Sequence, residues 1–260
     1  MKPIVRRGLG LLLIIACGAV WIVSSGMSRR SRSVLTCKGK ETLDVRVMDS
    51  LSFVAREDVE KWLDSEYGAY AGQRLDSVNL ARIEKLIMGH SAVKTCEAWL
   101  TDDGTLHIEL TQRQPAVRFD TGANGFYADA EGFIFPLQAR GTADVPVVEG
   151  KLPLQVKRGF KGMPDDPAQR LWLGKILELA GIAARPEWKE RIGQITVGDD
   201  GNLVIKPAQG KETFLFGPPE RVEEKFSLID KYYSAIVREK GPEYYSTVDV
   251  RFKGQVVCRR

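Results

Sequence analysis

The sequence predicts an α+β protein: one apolar span near its start, then a β-α-α-β-β unit, then a mixed β domain with two helices. Three observations predict it. A single uncharged run is long enough to cross a bilayer. Beyond that run, the hydrophobic period changes from two to 3.6 residues and back. Turn residues fall at the joints between these periods.

The span comes first. Gly8–Ser25 reads GLGLLLIIACGAVWIVSS, without a charge. At about 1.5 Å per residue it makes roughly 27 Å of helix, close to the hydrocarbon thickness. Trp21 sits near one end, where an indole can occupy the interface. A permanent anchor is the leading reading, and two alternatives stand beside it. The apolar region of a cleaved signal peptide usually spans about 7–15 residues before a small-residue cleavage site. This run is longer, and arginines follow it. A lipoprotein signal would use Ile14-Ile15-Ala16-Cys17, yet apolar residues continue past the cysteine to Val23. The expected organisation is therefore a tail at 1–7, a transmembrane helix at 8–25, a linker at 26–40, a first folded unit at 41–115 and a C-terminal β domain at 116–260.

The formal net charge of +4 is concentrated at the span. Lys2, Arg6, Arg7, Arg29, Arg30, Arg32, Lys38 and Lys40 lie within the first forty residues, which contain no acid. Beyond them 30 basic residues face 34 acidic ones, so the body is mildly acidic. A nucleic-acid binder would carry its positive charge on the body, which argues against that class. Basic residues on both flanks leave the orientation of the span open. Of four cysteines, Cys17 lies in the span and Cys37, Cys96 and Cys258 outside it. One disulfide suits an oxidising compartment; buried thiols are the plainer alternative.

The first folded unit opens with a strand at Glu41–Met48, where Leu43, Val45 and Val47 alternate onto one face. A helix follows in REDVEKWLDSEY, with Val59, Trp62, Leu63 and Tyr67 at helical spacing. A second helix is expected over Ser77–Met88, with Ser77 as N-cap and Gly89 as stop. VKTCEAWL and TLHIELTQ then flank Asp102-Asp103-Gly104 as a hairpin. Two amphipathic helices over one face of a three-stranded sheet make a sound two-layer domain.

The second part begins with two short strands in GFYADAEGFIFPL around Asp129–Gly132, and another in VPVVEG. A helix from about Asp166 to Ala184 carries Leu171, Leu173, Ile176, Leu177 and Leu179. Strands are expected at Ile192–Val197, Asn202–Lys206 and Thr213–Phe216, the first pair joined by Asp199-Asp200-Gly201. The helix Pro219–Lys240 places Val222, Phe226, Ile229, Tyr233 and Ile236 on one side, and Gly241-Pro242 ends it. STVDVRF, a Lys253-Gly254 turn or bulge, and QVVCRR close the sequence as strand-like residues.

Nothing in the sequence assembles a catalytic set. It holds two histidines, His90 and His107; the alternation turns His107 toward solvent with Glu109, and His90 falls in a loop. No Cys-x-x-Cys, His-Glu-x-x-His, Gly-x-Ser-x-Gly or phosphate loop occurs. The pairs Asp102-Asp103, Asp165-Asp166 and Asp199-Asp200 fall at turns or helix starts, where Asp caps the backbone. The expectation is a protein with no enzymatic activity, cofactor, metal or small-molecule substrate, whose function lies in its surfaces.

The β-α-α-β-β order is that of a POTRA domain, an interaction module of bacterial envelopes. Beyond it come the junction LHIELTQRQPAVRF, FYADAEGFIFPL followed by VPVVEG, the FG…KF pair near the last helix, and VDVRFKGQVVCRR. Together with the basic tail and single span, these residues resemble the FtsQ/DivIB family of bacterial cell-division proteins over nearly the whole chain. The ending is most similar to the Bacteroidetes branch. One departure is His90-Ser91, where the family usually has a proline before Val93.

The resemblance implies a divisome scaffold in the inner membrane, at the division septum, with its N-terminus in the cytoplasm and its body in the periplasm. It also implies FtsB/FtsL-type partners, bound by adding a partner strand to the last strand of the sheet. An exposed edge strand offers unpaired N–H and C=O groups, which makes that mode physically reasonable. The implied partner-binding residues are Val248, Asp249, Val250, Arg251, Phe252, Gln255, Val256, Val257 and Cys258. Arg251 would pair with an acidic partner residue and Phe252 would anchor in a partner groove. On residue type alone, Val248, Val250 and Val256 fit a core-facing central strand equally well. A POTRA-bearing component of envelope protein translocation or outer-membrane assembly is the alternative class. A transmembrane barrel, however, needs many further alternating segments of about ten residues, which these 260 residues do not contain.

Overall fold

The computed structural model describes residues 35–122 and 124–260. The expected tail, the transmembrane span at 8–25 and most of the linker lie outside the described residues. No described helix is long and apolar enough to cross a membrane. Two compact units form: one contains Val54–Gln112 with the residues up to Ser50, the other Leu51–Phe53 and Arg113–Arg260. The expected boundary after residue 115 moves to Gln112/Arg113. Pro115 instead opens a strand of the second unit, a position where its missing N–H is tolerated.

In the first unit, β1 (Asp44–Val47), α1 (Arg56–Trp62), α2 (Leu80–Met88), β2 (Val93–Leu100) and β3 (Leu106–Gln112) follow the expected order. A π-helical turn, Leu63–Tyr67, prolongs α1. The sheet order is β1-β3-β2, with β1 parallel and β2 antiparallel to β3. Leu106, Ile108 and Leu110 alternate inward on β3, and Val59, Leu63, Ile83 and Ile87 from the helices are buried with them. Each such side chain contributes roughly 1.5–3 kcal/mol by leaving water. The second helix starts at Leu80 rather than Ser77, because the Asn79 carboxamide oxygen accepts from the Arg82 N–H at 2.9 Å.

The second unit is one mixed sheet of nine strands. They are β4 (Pro115–Asp120), β5 (Gly125–Asp129), β6 (Ile134–Pro136), β7 (Val147–Gly150), β8 (Ile192–Val197), β9 (Leu203–Pro207), β10 (Thr213–Gly217), β11 (Thr247–Asp249) and β12 (Val257–Arg259). Their spatial order is β12-β11-β10-β9-β8-β7-β4-β5-β6. Three helices complete the unit: α3 (Pro167–Ala183), α4 (Pro186–Lys189) and α5 (Val222–Lys231). A π-helical turn Tyr232–Val237 and a last turn Arg238–Lys240 continue α5. Asp166 caps α3, accepting from the Ala168 N–H at 2.8 Å. Leu173, Ile176 and Leu179 of α3 and Phe226, Ile229 and Tyr232 at α5 join Phe119, Ile195, Ile205, Phe214 and Val248 of the sheet in one core. Leu171, one of the apolar residues that α3 carries, stands exposed.

The FYADAEG stretch is accounted for by the β5–β6 turn. Asp129, itself buried, accepts from the Glu131 and Phe133 amides at 3.0 and 2.9 Å and from Arg113 Nη1 at 3.0 Å. Gly132 takes φ +86°, a left-handed conformation that L side chains rarely adopt.

Candidate partner-binding edge

β11 lies between two strands. It runs parallel to β10, with Phe214 opposite Val248, and antiparallel to β12, with Val248 opposite Cys258. Val248 and Val250 are fully buried among the core side chains, and the Val250 N–H donates to the Leu215 carbonyl at 3.2 Å. The stretch Val248–Cys258, read as the candidate edge, supplies two strands. The Lys253-Gly254 turn folds it into a hairpin. Val248 and Asp249 have strands on both sides and Val250 is tied back to β10, so none of the three offers a free edge; β12 does.

Arg251 already has an ionic partner within the chain. Residues i and i+2 of an extended chain share a face, and the Arg251 guanidinium turns back onto Asp249 through Nε at 2.9 Å and Nη2 at 2.7 Å. Asp249 Oδ1 also accepts from the Arg251 N–H at 3.1 Å. That guanidinium holds the buried Asp249 carboxyl below the usual carboxylate range, and Asp249 in turn raises Arg251. Each neutralises the other within the chain, so Arg251 is not a free cation awaiting an acidic partner.

Phe252 follows at the hairpin tip with 49% of its surface exposed. Gln255 is exposed, and its N–H reaches the Phe252 carbonyl at 3.4 Å. Val256 and Cys258 are half-buried against the core, and burial pushes the Cys258 thiol up. Val257 sits opposite Asp249 on the other face of the sheet. Among the described residues, no strand lies on the outer side of β12.

Two residues beside this edge went unnoticed in the sequence. Tyr244 is 38% exposed, and the Arg260 guanidinium lies 4.4 Å from its ring centroid while donating to its hydroxyl. The signal was available: the aromatic pair Tyr244-Tyr245 shortly after the Gly241-Pro242 helix stop, and two arginines ending an apolar strand.

The histidines are structural. His107 leaves the apolar face as expected but is not solvent-facing: its Nδ1 meets the Asp44 carboxylate at 2.9 Å, and its ring stacks on Trp99 at 5.2 Å. His90, in the turn after α2, stacks on Trp62 at 3.6 Å and meets Glu66 at 3.2 Å. Backbone amides engage the carboxylates of Asp103, Asp166 and Asp200. Cys37, Cys96 and Cys258 are unbridged. Among the described residues, no three His, Cys, Asp or Glu side chains gather as metal ligands.

β12 is an open strand beside an exposed aromatic side chain. It stands on a mixed sheet in a chain that also carries a POTRA-type unit. Residues 114–259 match the family model described as FtsQ/DivIB, C-terminal related, and residues 37–111 match that of the POTRA-like domain. The chain belongs to the FtsQ/DivIB C-terminal related family, which is a family of cell-division proteins. No curated protein matches it.

Proposed function

We propose that this chain is a bitopic inner-membrane scaffold of the divisome, acting in septum assembly. Its N-terminus is cytoplasmic, its body periplasmic, and its binding site for FtsB/FtsL-type partners is the outer side of β12. The observation that carries this is the open β12 edge with Phe252 at the adjoining hairpin tip. A partner strand would satisfy the outward backbone groups of β12, each bond contributing roughly 0.5–1.5 kcal/mol. An aromatic side chain at the turn supplies apolar anchoring, and aromatics are the residues on which interface energy concentrates. No charged exchange through Arg251 is needed.

Depletion tests the cellular role. The expected outcome is filaments or chains of undivided cells, with a tagged copy of the protein at midcell. Normal division on depletion, with label spread evenly over the envelope, would sink the proposal. A protease-protection assay on spheroplasts tests the orientation: the body should be digested from outside and an N-terminal tag protected.

A further inference from the structure

The hairpin tip that carries Phe252 is held from an element distant in sequence. Arg221, just before α5, takes φ 53° and ψ 42°, a left-handed backbone that is strained for a non-glycine residue. From there its Nη2 donates to the Arg251 carbonyl at 2.6 Å and its Nη1 to Glu224 Oε2 at 3.1 Å. The other Glu224 oxygen accepts from the Gly254 N–H at 2.9 Å. Together the two side chains grip the backbone on both sides of Phe252. Opposite them, Gly217 at φ +73° makes room for Arg251; a Cβ there would lie 2.8 Å from Arg251 Cγ. Between these anchors Phe252 projects outward, with no aromatic partner among the described residues.

Strain held in a non-glycine residue calls for a return elsewhere. Helix α5 uses the backbone of Arg221, whose carbonyl accepts from the Lys225 N–H at 3.0 Å, but it takes no cap from the side chain, which is left to reach the tip. The return is the tip: its backbone is ordered before anything docks, so that ordering is not lost from the affinity on binding.

We infer that Arg221 and Glu224 are positioning residues of the partner interface, which fix residues 251–254 so that Phe252 stands beside β12 in its bound geometry. The inference rests on the proposal that β12 is the partner edge. Neither residue has to touch the partner.

The test uses the full chain in nanodiscs, with the purified FtsB-type and FtsL-type proteins of the same cell as probe. Arg221→Gly keeps the left-handed backbone accessible and removes the guanidinium; Glu224→Ala removes the acceptor. In the free protein, both should speed hydrogen exchange at Gly254 by about tenfold or more while exchange in β11 stays unchanged. Partner affinity should fall about tenfold. Glu224→Gln keeps an acceptor for Gly254 and should recover most of the loss. If exchange quickens but affinity holds while Phe252→Ala still weakens binding, the positioning role is overturned and the interface stands. Unchanged exchange overturns the grip itself. If Phe252→Ala and all three other variants bind as the parent does, the interface reading fails and the inference with it.

Discussion

The two edges of the nine-stranded sheet are both three residues long and are treated in opposite ways. β6 ends on Pro136, which has no N–H to offer, and Ile134 exchanges both backbone bonds with Gly162 at 2.8 and 2.9 Å. Its outer side is closed. β12 has neither a proline nor a second strand beside it among the described residues, and Arg259 is its one charged residue, with Arg260 following it. Natural sheets blunt their edges because an open strand is a template for another chain. On the proposed function, the edge left open is the one that takes a partner strand. The POTRA-type unit shows the contrast again on a smaller scale: at the edge strand β2, the Ala98 N–H is taken by the Glu84 carboxylate at 2.9 Å.

The comparison can be broken at several points. The largest effect is expected from proline on β12. Successive N–H groups of a strand point to opposite sides, so one of Val257→Pro and Cys258→Pro removes an outward donor and the other a bond to β11. The outward one should lower partner affinity by roughly 100-fold at an unchanged melting temperature, measured by calorimetric titration and thermal unfolding. Equal affinity for both variants and the parent would place the partner elsewhere. Next, Phe252→Glu should weaken binding by about 2 kcal/mol, read as lost co-purification at low concentration, with the body still folded.

Smaller effects test what supports the open edge. Asp249→Asn should destabilise the second unit by on the order of 1–2 kcal/mol, because Arg251 loses its charged partner. The folded Asp249 carboxyl lies below its unfolded value, so its contribution is present above the ordinary carboxylate range and lost as pH falls. Urea midpoints should therefore drop less on acidification in the Asn variant. Lys225 is buried, with its Nζ 2.6 Å from the Pro218 carbonyl, and burial pulls it down to about 8. A lysine depressed in the fold binds fewer protons than the unfolded chain between that value and its ordinary one near 10.5. Stability should thus rise as pH climbs from 8 to 10.5, and Lys225→Met should remove that rise in urea titrations. The smallest effect is expected at the closed edge: Pro136→Val should leave partner affinity unchanged.

Much of this fold was legible in the sequence because it is local. The hairpin around Asp102-Asp103-Gly104 and the strand Ile192–Val197 follow from alternation and turn chemistry alone. Helix starts were less so: Ser77 and Asn79 are both good caps, and only the folded geometry decides between them. The nine-strand order was not legible, since β7 beside β4 and β10 beside β11 are pairings between distant segments. The same limit explains the site. VDVRF and QVVCRR announce strands, but alternation does not say which has a neighbour on each side. Asp249-x-Arg251 could have been read as a same-face ion pair, and that would have withdrawn Arg251 as a partner-facing charge.

Hydrogen exchange on the full chain, with and without the FtsB-type protein, tests the open-edge claim most directly. Outward amides within Val257–Arg259 should slow by about tenfold or more on partner addition, while Ile134–Pro136 stays unchanged. Protection that appears elsewhere and leaves Val257–Arg259 exchanging as before would contradict it.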